Sequence, residues 1–189
     1  MATKKSSKAT KKAPDAIALL KKDHEKVRGL LGDLEKSAIR GGPRAEKLVT
    51  QVNKELEIHT TIEEEIFYPA CKDAVDEDQM NEAYVEHDGA KVMIAELLGS
   101  NPDQQFYDAK MTVLSEEIKH HVKEEEAPGD GVFAQARKAG LDMVALGARM
   151  AARKEQVLEQ FKTGGLPAPK TRAFTGHKLD QSKPVEAHA

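Results

Sequence analysis

A chain of 189 residues with 39% hydrophobic content is long enough for one domain with a buried core; no Trp, 4% aromatics and abundant Ala, Glu, Lys and Leu favour helices over sheets. No apolar run approaches the roughly 18 residues of a membrane span, and the Lys-rich start lacks the apolar stretch of a secretory signal, so the expectation is a cytoplasmic protein with no membrane partner. The charge is uneven: residues 1–14 hold five lysines and no acid and residues 163–189 net +2, which against a total of −3 leaves −10 for residues 15–162 and argues against a specific nucleic-acid partner.

Residues 1–13 form a Lys/Ser/Ala segment of low complexity, predicted to be disordered. Pro14 and Asp15 then open a first helix whose inward stripe, Ile17, Leu20, His24, Val27, Leu31 and Leu34, runs until Gly41-Gly42-Pro43. A second helix is expected from about Pro43 to Asp73, presenting Leu48, Val52, Leu56, His59, Glu63 and Ile66, with Pro69 bending or ending it. Cys71, the single cysteine, allows no intrachain disulfide and reads as an unreactive thiol near that helix end. The third helix, about Gln79 to Leu98, lines up Met80, Tyr84, His87, Lys91, Ile94 and Leu98 before Gly99. A fourth begins at the cap-like Ser100-Asn101-Pro102 and carries Tyr107, Met111, Leu114, Ile118, His121 and Glu125 inward until Pro128-Gly129-Asp130-Gly131. A short helix, Val132 to Ala139, and a last one from Asp142 to about Phe161 follow, and Gly164 to Pro169 opens a tail over 163–189 expected to be disordered. The fold expectation is therefore an all-α, antiparallel up-down-up-down four-helix bundle over residues 14–162, with the additional C-terminal helices laid along its outside.

Each of the four long helices carries one inward histidine. Counted from the loops of an antiparallel bundle, His24 and His59 lie at matching distances from the first loop, and His87 and His121 at similar distances from the third, so the four meet near one level. A single inward histidine is more often an ordinary hydrogen-bonded core residue. Four given histidines all falling in stripes that take about a third of helical positions would occur by chance roughly once in 80. His59 and Glu63, and His121 and Glu125, are four apart and so share a helical face, and a buried carboxylate needs a cation. Iron or manganese fits this mixture of imidazole and carboxylate. On helix 4 only His121 continues the stripe; His120 is turned about 100° toward the flank. Tyr84, one turn before His87, reads as a packing tyrosine or a donor to a metal-bound oxygen, and Glu55 and Glu117, each four residues before a histidine, as solvated charges or as carboxylates that orient an imidazole.

The segments Asp23-His24-Glu25, His59-Thr60-Thr61-Ile62-Glu63-Glu64-Glu65-Ile66-Phe67-Tyr68-Pro69, Glu86-His87 and His120-His121-Val122-Lys123-Glu124-Glu125-Glu126 resemble, in order and spacing, the successive signatures of the hemerythrin-like, or HHE cation-binding, family over about residues 15–160. The resemblance implies a four-helix bundle holding two non-haem irons, bridged by the carboxylates of the two His-x-x-x-Glu pairs and by a solvent-derived oxo or hydroxo group. It carries metal-ligand roles onto His59, Glu63, His121 and Glu125, with His24 and His87 as terminal imidazoles. Lys91 stands where oxygen carriers of the family place a further histidine, and Glu125 where typical carriers use an aspartate one residue on. A protonated lysine is a poor iron ligand, so the expectation is open coordination positions beside an ammonium that favours anionic hydroperoxide over a stable O2 adduct. The functional expectation is a di-iron protein that reacts with O2 or hydrogen peroxide in a stress-response or sensing role, with peroxide decomposition as its candidate activity. The alternatives are a non-enzymatic oxygen or iron sensor or store, and a zinc- or manganese-binding bundle.

Overall fold

The computed structural model describes residues 14–36, 43–100, 102–163 and 170–174. The expected 1–13 tail, the Gly41-Gly42 stop, Asn101 and most of the 163–189 tail lie outside the described residues. Among the described residues there is no strand, and no helix is long and apolar enough to cross a membrane.

Helix α1 spans Ala16–Lys36, and the Asp15 side chain accepts from Ala18 N at its start. Helix α2 runs over Pro43–Ile62 and continues through a wider π turn, Glu63–Phe67, into a last turn, Tyr68–Cys71. Helix α3 covers Glu77–Gly99, two residues earlier than its periodicity indicated, because Asp76 caps it by accepting from Gln79 N at 3.1 Å. Helix α4 covers Tyr107–Glu125, not the earlier start at Ser100-Asn101-Pro102: residues 102–106 form turns, and the buried Tyr107 is the first core position. Helices α5 and α6 are Val132–Lys138 and Met143–Thr163, joined through Gly140, whose φ of 79° closes the first with a left-handed turn that a side chain would strain.

Helices α1 to α4 pack in chain order around a ring. Apolar side chains form two separate clusters, one at each end of the bundle. Helices α1 and α3 begin in the first (Leu20, Met80) and end in the second (Leu31, Ile94), while α2 runs back from Val49 to Phe67, so neighbouring helices are antiparallel. The C-terminal helices do more than lie outside. Helix α6 packs on α1 and α2, burying Met143, Leu146, Met150 and Val157, whereas α5 inserts Val132, Phe133 and Ala136 into the first cluster and closes that end. Ion pairs tie α6 down beside the centre of the bundle: Lys154 to Asp23, and Arg153 to Glu65 at 2.6 Å. Residues 170–174, expected to belong to a structureless tail, are instead docked against α3 by hydrogen bonds to Asp88 and Lys91.

Candidate metal centre

Between the two apolar clusters lies a polar layer. His24 on α1, His59 and Glu63 on α2, His87 on α3, and His121 and Glu125 on α4 are all buried. His24 Nε2 is 3.2 Å from His59 Nε2, and His87 Nε2 is 3.3 Å from His121 Nε2. Glu63 Oε2 sits 3.0 Å from His59 Nε2 and 3.3 Å from His87 Nε2. Glu125 Oε2 is 3.3 Å from His24 Nε2 and 3.5 Å from His121 Nε2. Two overlapping groups, His59 with Glu63, His87 and His121, and His24 with His59, Glu63 and Glu125, keep their donor atoms within 4.8 Å of one another. All six residues singled out in the sequence thus come together, while His120 stays on the exposed flank, 3.2 Å from Glu124.

Three of the imidazoles are gripped from behind. His24 Nδ1 lies 2.8 Å from Glu126 Oε1, His87 Nδ1 3.1 Å from Glu64 Oε1, and His121 Nδ1 2.8 Å from Glu86 Oε2. A carboxylate on Nδ1 draws the ring proton there and turns the Nε2 lone pair inward, the arrangement in which histidine binds metals. Each of these carboxylates is the sequence neighbour of a layer residue and reaches a histidine on the adjacent helix. Glu55 and Glu117 do not play this part: Glu55 pairs with Lys26 at 2.6 Å, and Glu117 Oε2 is buried with no hydrogen-bond partner among the described residues.

Tyr68, which the helical stripe did not include, reaches the middle of the layer. Its hydroxyl donates to Glu125 Oε1 at 2.8 Å and lies 3.2 Å from His87 Nε2. It stands five residues after Glu63, which in an α-helix would turn it well off that face. The π turn widens the helix so that Tyr68 N–H bonds to Glu63 O and the two side chains share a face. Pro69 favours the wide turn, since it has no N–H to offer residue 65 and its ring crowds that carbonyl. Tyr84 packs edge-on against Tyr68, with ring centroids 5.2 Å apart. Phe133 from α5 stacks on His24 at 5.7 Å and walls off the layer on that side.

Lys91 departs from expectation. Its ammonium points outward to Glu64 Oε1 at 2.6 Å and to Asp88 Oδ1 at 3.4 Å, because three fixed acceptors on that flank, the third being the Lys170 carbonyl, hold it there. The expected cation beside an open coordination position is therefore not formed.

The electrostatics of the layer ask for a cation. Two fully buried carboxylates face four imidazoles, and Glu63 Oε1, Glu125 Oε2 and His59 Nδ1 have no hydrogen-bond partner among the described residues. Protons meet part of this need. Burial alone would push the His121 imidazole down, but Glu125 and Glu86 outweigh it and raise it to about 9; Glu125 likewise raises His24 against its burial. Burial would raise Glu63, yet His59 and His87 hold it well below the ordinary carboxylate range. Bound metal would replace those protons, and nitrogen and oxygen donors without thiolate suit iron, manganese or zinc. Cys71 is buried outside the layer, its thiol pushed up to about 12, first by burial, as expected of an unreactive cysteine.

The Hemerythrin HHE cation binding domain profile matches residues 15–128, more than half of the chain. The chain belongs to this family. Its HHE domain superposes on the crystal structure of a hemerythrin HHE cation binding domain-containing protein from Mycobacterium kansasii with a TM-score of 0.66 and 24% identity, covering 82% of this chain and 96% of that one, which supports the shared fold. Among curated proteins it is 26% identical over 109 residues to a protein of Nostoc sp. named DNA nickase; the match takes in 58% of this chain and 30% of that protein. In this HHE domain the His/Glu layer is a cluster able to hold a metal.

Proposed function

We propose that the layer holds two non-haem irons, with His24, His59, Glu63, His87, His121 and Glu125 as their protein ligands, and that this centre reacts with dioxygen or hydrogen peroxide in a stress-response or sensing role. The observation that carries the reading is the set of inward-facing Nε2 atoms, three of them locked by a carboxylate on Nδ1. His59 and Glu63 belong to both four-residue groups, and Glu125 lies within reach of His24 and His121, so either carboxylate could serve both metals. Bound iron would supply a redox couple and coordination positions left open by six protein donors.

The chain itself supplies enclosure and a proton. A cavity of about 20 Å³ is lined by the four imidazoles and by Val27, Leu56, Ala90 and Ile118, room for a molecule of the size of dioxygen or peroxide. On the other side, burial and the Glu125 carboxylate hold the Tyr68 phenol well above its usual range, so it stays a hydrogen-bond donor at neutral pH, 2.8 Å from Glu125 Oε1. With Lys91 turned outward, the charge argument for peroxide over O2 falls away, and the choice between them passes to experiment.

Ferrous iron is added to metal-free protein under anaerobic conditions, and air or hydrogen peroxide is then admitted. The expected result is uptake of two irons per chain, near-ultraviolet absorption from an oxo-bridged ferric pair, and either peroxide consumption or reversible O2 uptake, all lost in His121→Ala. Failure to retain iron, or retention with inertness toward both oxidants, overturns the proposal; retention of zinc or manganese alone selects the zinc- or manganese-binding bundle. The name of the Nostoc relative raises DNA nicking as a second reading. Plasmid relaxation by the iron-loaded protein would favour it, although the −10 charge of residues 15–162 opposes DNA binding.

A further inference from the structure

Asp88 follows His87 on α3 and is therefore turned about 100° from it, yet it is only 1% exposed. A carboxylate buried to that degree needs several donors. Its own helix supplies one, Lys91 Nζ at 3.4 Å from Oδ1. The others come from the far end of the chain, where the backbone N–H groups of Arg172 and Ala173 both donate to Asp88 Oδ2 at 2.6 Å. Lys91, itself 9% exposed, joins the two sides: its ammonium donates to the Lys170 carbonyl at 3.2 Å and to Glu64 Oε1 at 2.6 Å. That Glu64 oxygen is the one that takes His87 Nδ1 at 3.1 Å. Arg172 adds its guanidinium 4.8 Å over the Tyr84 ring, behind Tyr68, and its Nε lies 3.6 Å from Glu64 Oε2. A continuous set of charge-assisted hydrogen bonds runs from residues 170–173 through Lys91 and Glu64 to His87.

We propose that residues 170–174 are a latch that positions His87: docked on Asp88 and Lys91, they hold Glu64 on the His87 ring, so that latch closure and metal binding stabilise each other. The inference rests on the metal reading of the layer. Lys91 and the latch backbone are positioning groups, since neither touches the layer atoms directly. By linkage, whatever factor the closed latch adds to metal affinity, bound metal must return to latch closure.

The test uses the full chain with zinc(II), which is redox-silent, and with cobalt(II), whose visible spectrum reports its donor set. Ala173→Pro removes one N–H to Asp88 from a segment outside the helices, Lys91→Met removes the ammonium from the other side, and circular dichroism with urea denaturation checks that each variant keeps the bundle. Both variants should weaken zinc binding by up to about 10-fold, the low end of the loss expected when the carboxylate that itself orients a ligand is removed, and both should change the cobalt spectrum. In the unaltered chain, zinc should slow amide hydrogen exchange at Arg172 and Ala173 by a factor matching the affinity lost in Ala173→Pro. Equal zinc affinity in the wild type and Ala173→Pro, or exchange at those two amides indifferent to zinc, overturns the latch while leaving the metal site standing. A full chain that takes up neither metal overturns the metal reading, and the latch with it.

Discussion

In the metal-free protein the layer is held together by protons, which gives its stability an unusual dependence on pH. Burial lowers the His121 imidazole, but Glu125 and Glu86 raise it to about 9 from an ordinary value of 6.5. A group whose folded value is raised contributes stability that is complete below the unfolded value and is lost as pH climbs through the folded one. At 1.36 kcal/mol per unit, the 2.5-unit difference corresponds to roughly 3 kcal/mol, lost between about pH 6.5 and 9, and His24, raised in the same direction, adds to it. Glu63 works on the opposite limb: its depressed carboxyl contributes stability above the ordinary carboxylate range that is lost as acid protonates it. Cys71, pushed up to about 12, begins to lose its contribution only above the ordinary thiol value of 9 and leaves the window clear. Urea denaturation of chelator-treated protein from pH 6 to 9 should therefore show falling stability, and His121→Gln should flatten the decline. Bound metal takes the place of the protons, so metal-loaded protein should hold its stability across the window and release protons when it loads near pH 7. Stability of the metal-free protein that stays level or rises from pH 6.5 to 9 would refute this account of the layer.

His121→Ala should strip bound metal, whereas His120→Ala, at an exposed position paired with Glu124, should keep it; metal content after gel filtration decides, and the reverse order would mean the wrong ring had been assigned to the layer. Phe133→Ala should cost about 3–5 kcal/mol by chemical denaturation, since the buried ring fills the end of the core as well as covering His24. Gly147→Ala should lower the melting temperature by several degrees, through roughly 1–3 kcal/mol of overpacking, because a Cβ there would come 1.9 Å from Pro14 O and 2.8 Å from Ala16 N, where the start of α1 crosses α6; an unchanged melting curve would show that this close approach is not maintained in solution.

The bundle and its layer were legible because the relevant information is local. A helical period assigns each side chain to a face within a few residues, so His24, His59, His87 and His121 could be placed inward, and His121 separated from His120, from spacing alone. Helix lengths and antiparallel loops then set their common level. Start positions were less secure, as at α4, where Pro102 belongs to a turn and the buried Tyr107 begins the helix. Glu64, Glu86 and Glu126 sit one residue off the stripes, where partners are chosen by the rotation and crossing of neighbouring helices; an acid directly beside Glu63, His87 and Glu125 was the available signal. Tyr68 escaped because a single π turn resets the phase of everything after it, and Lys91 because a long flexible side chain follows its acceptors rather than its helix face. Sequence alone therefore determined the helices, their faces and the six converging donors, since these follow from backbone periodicity. Which groups orient and surround those donors, from Phe133 on α5 to the chain end on Asp88, was decided only by tertiary packing, because such contacts depend on the spatial relation of segments as much as 109 residues apart.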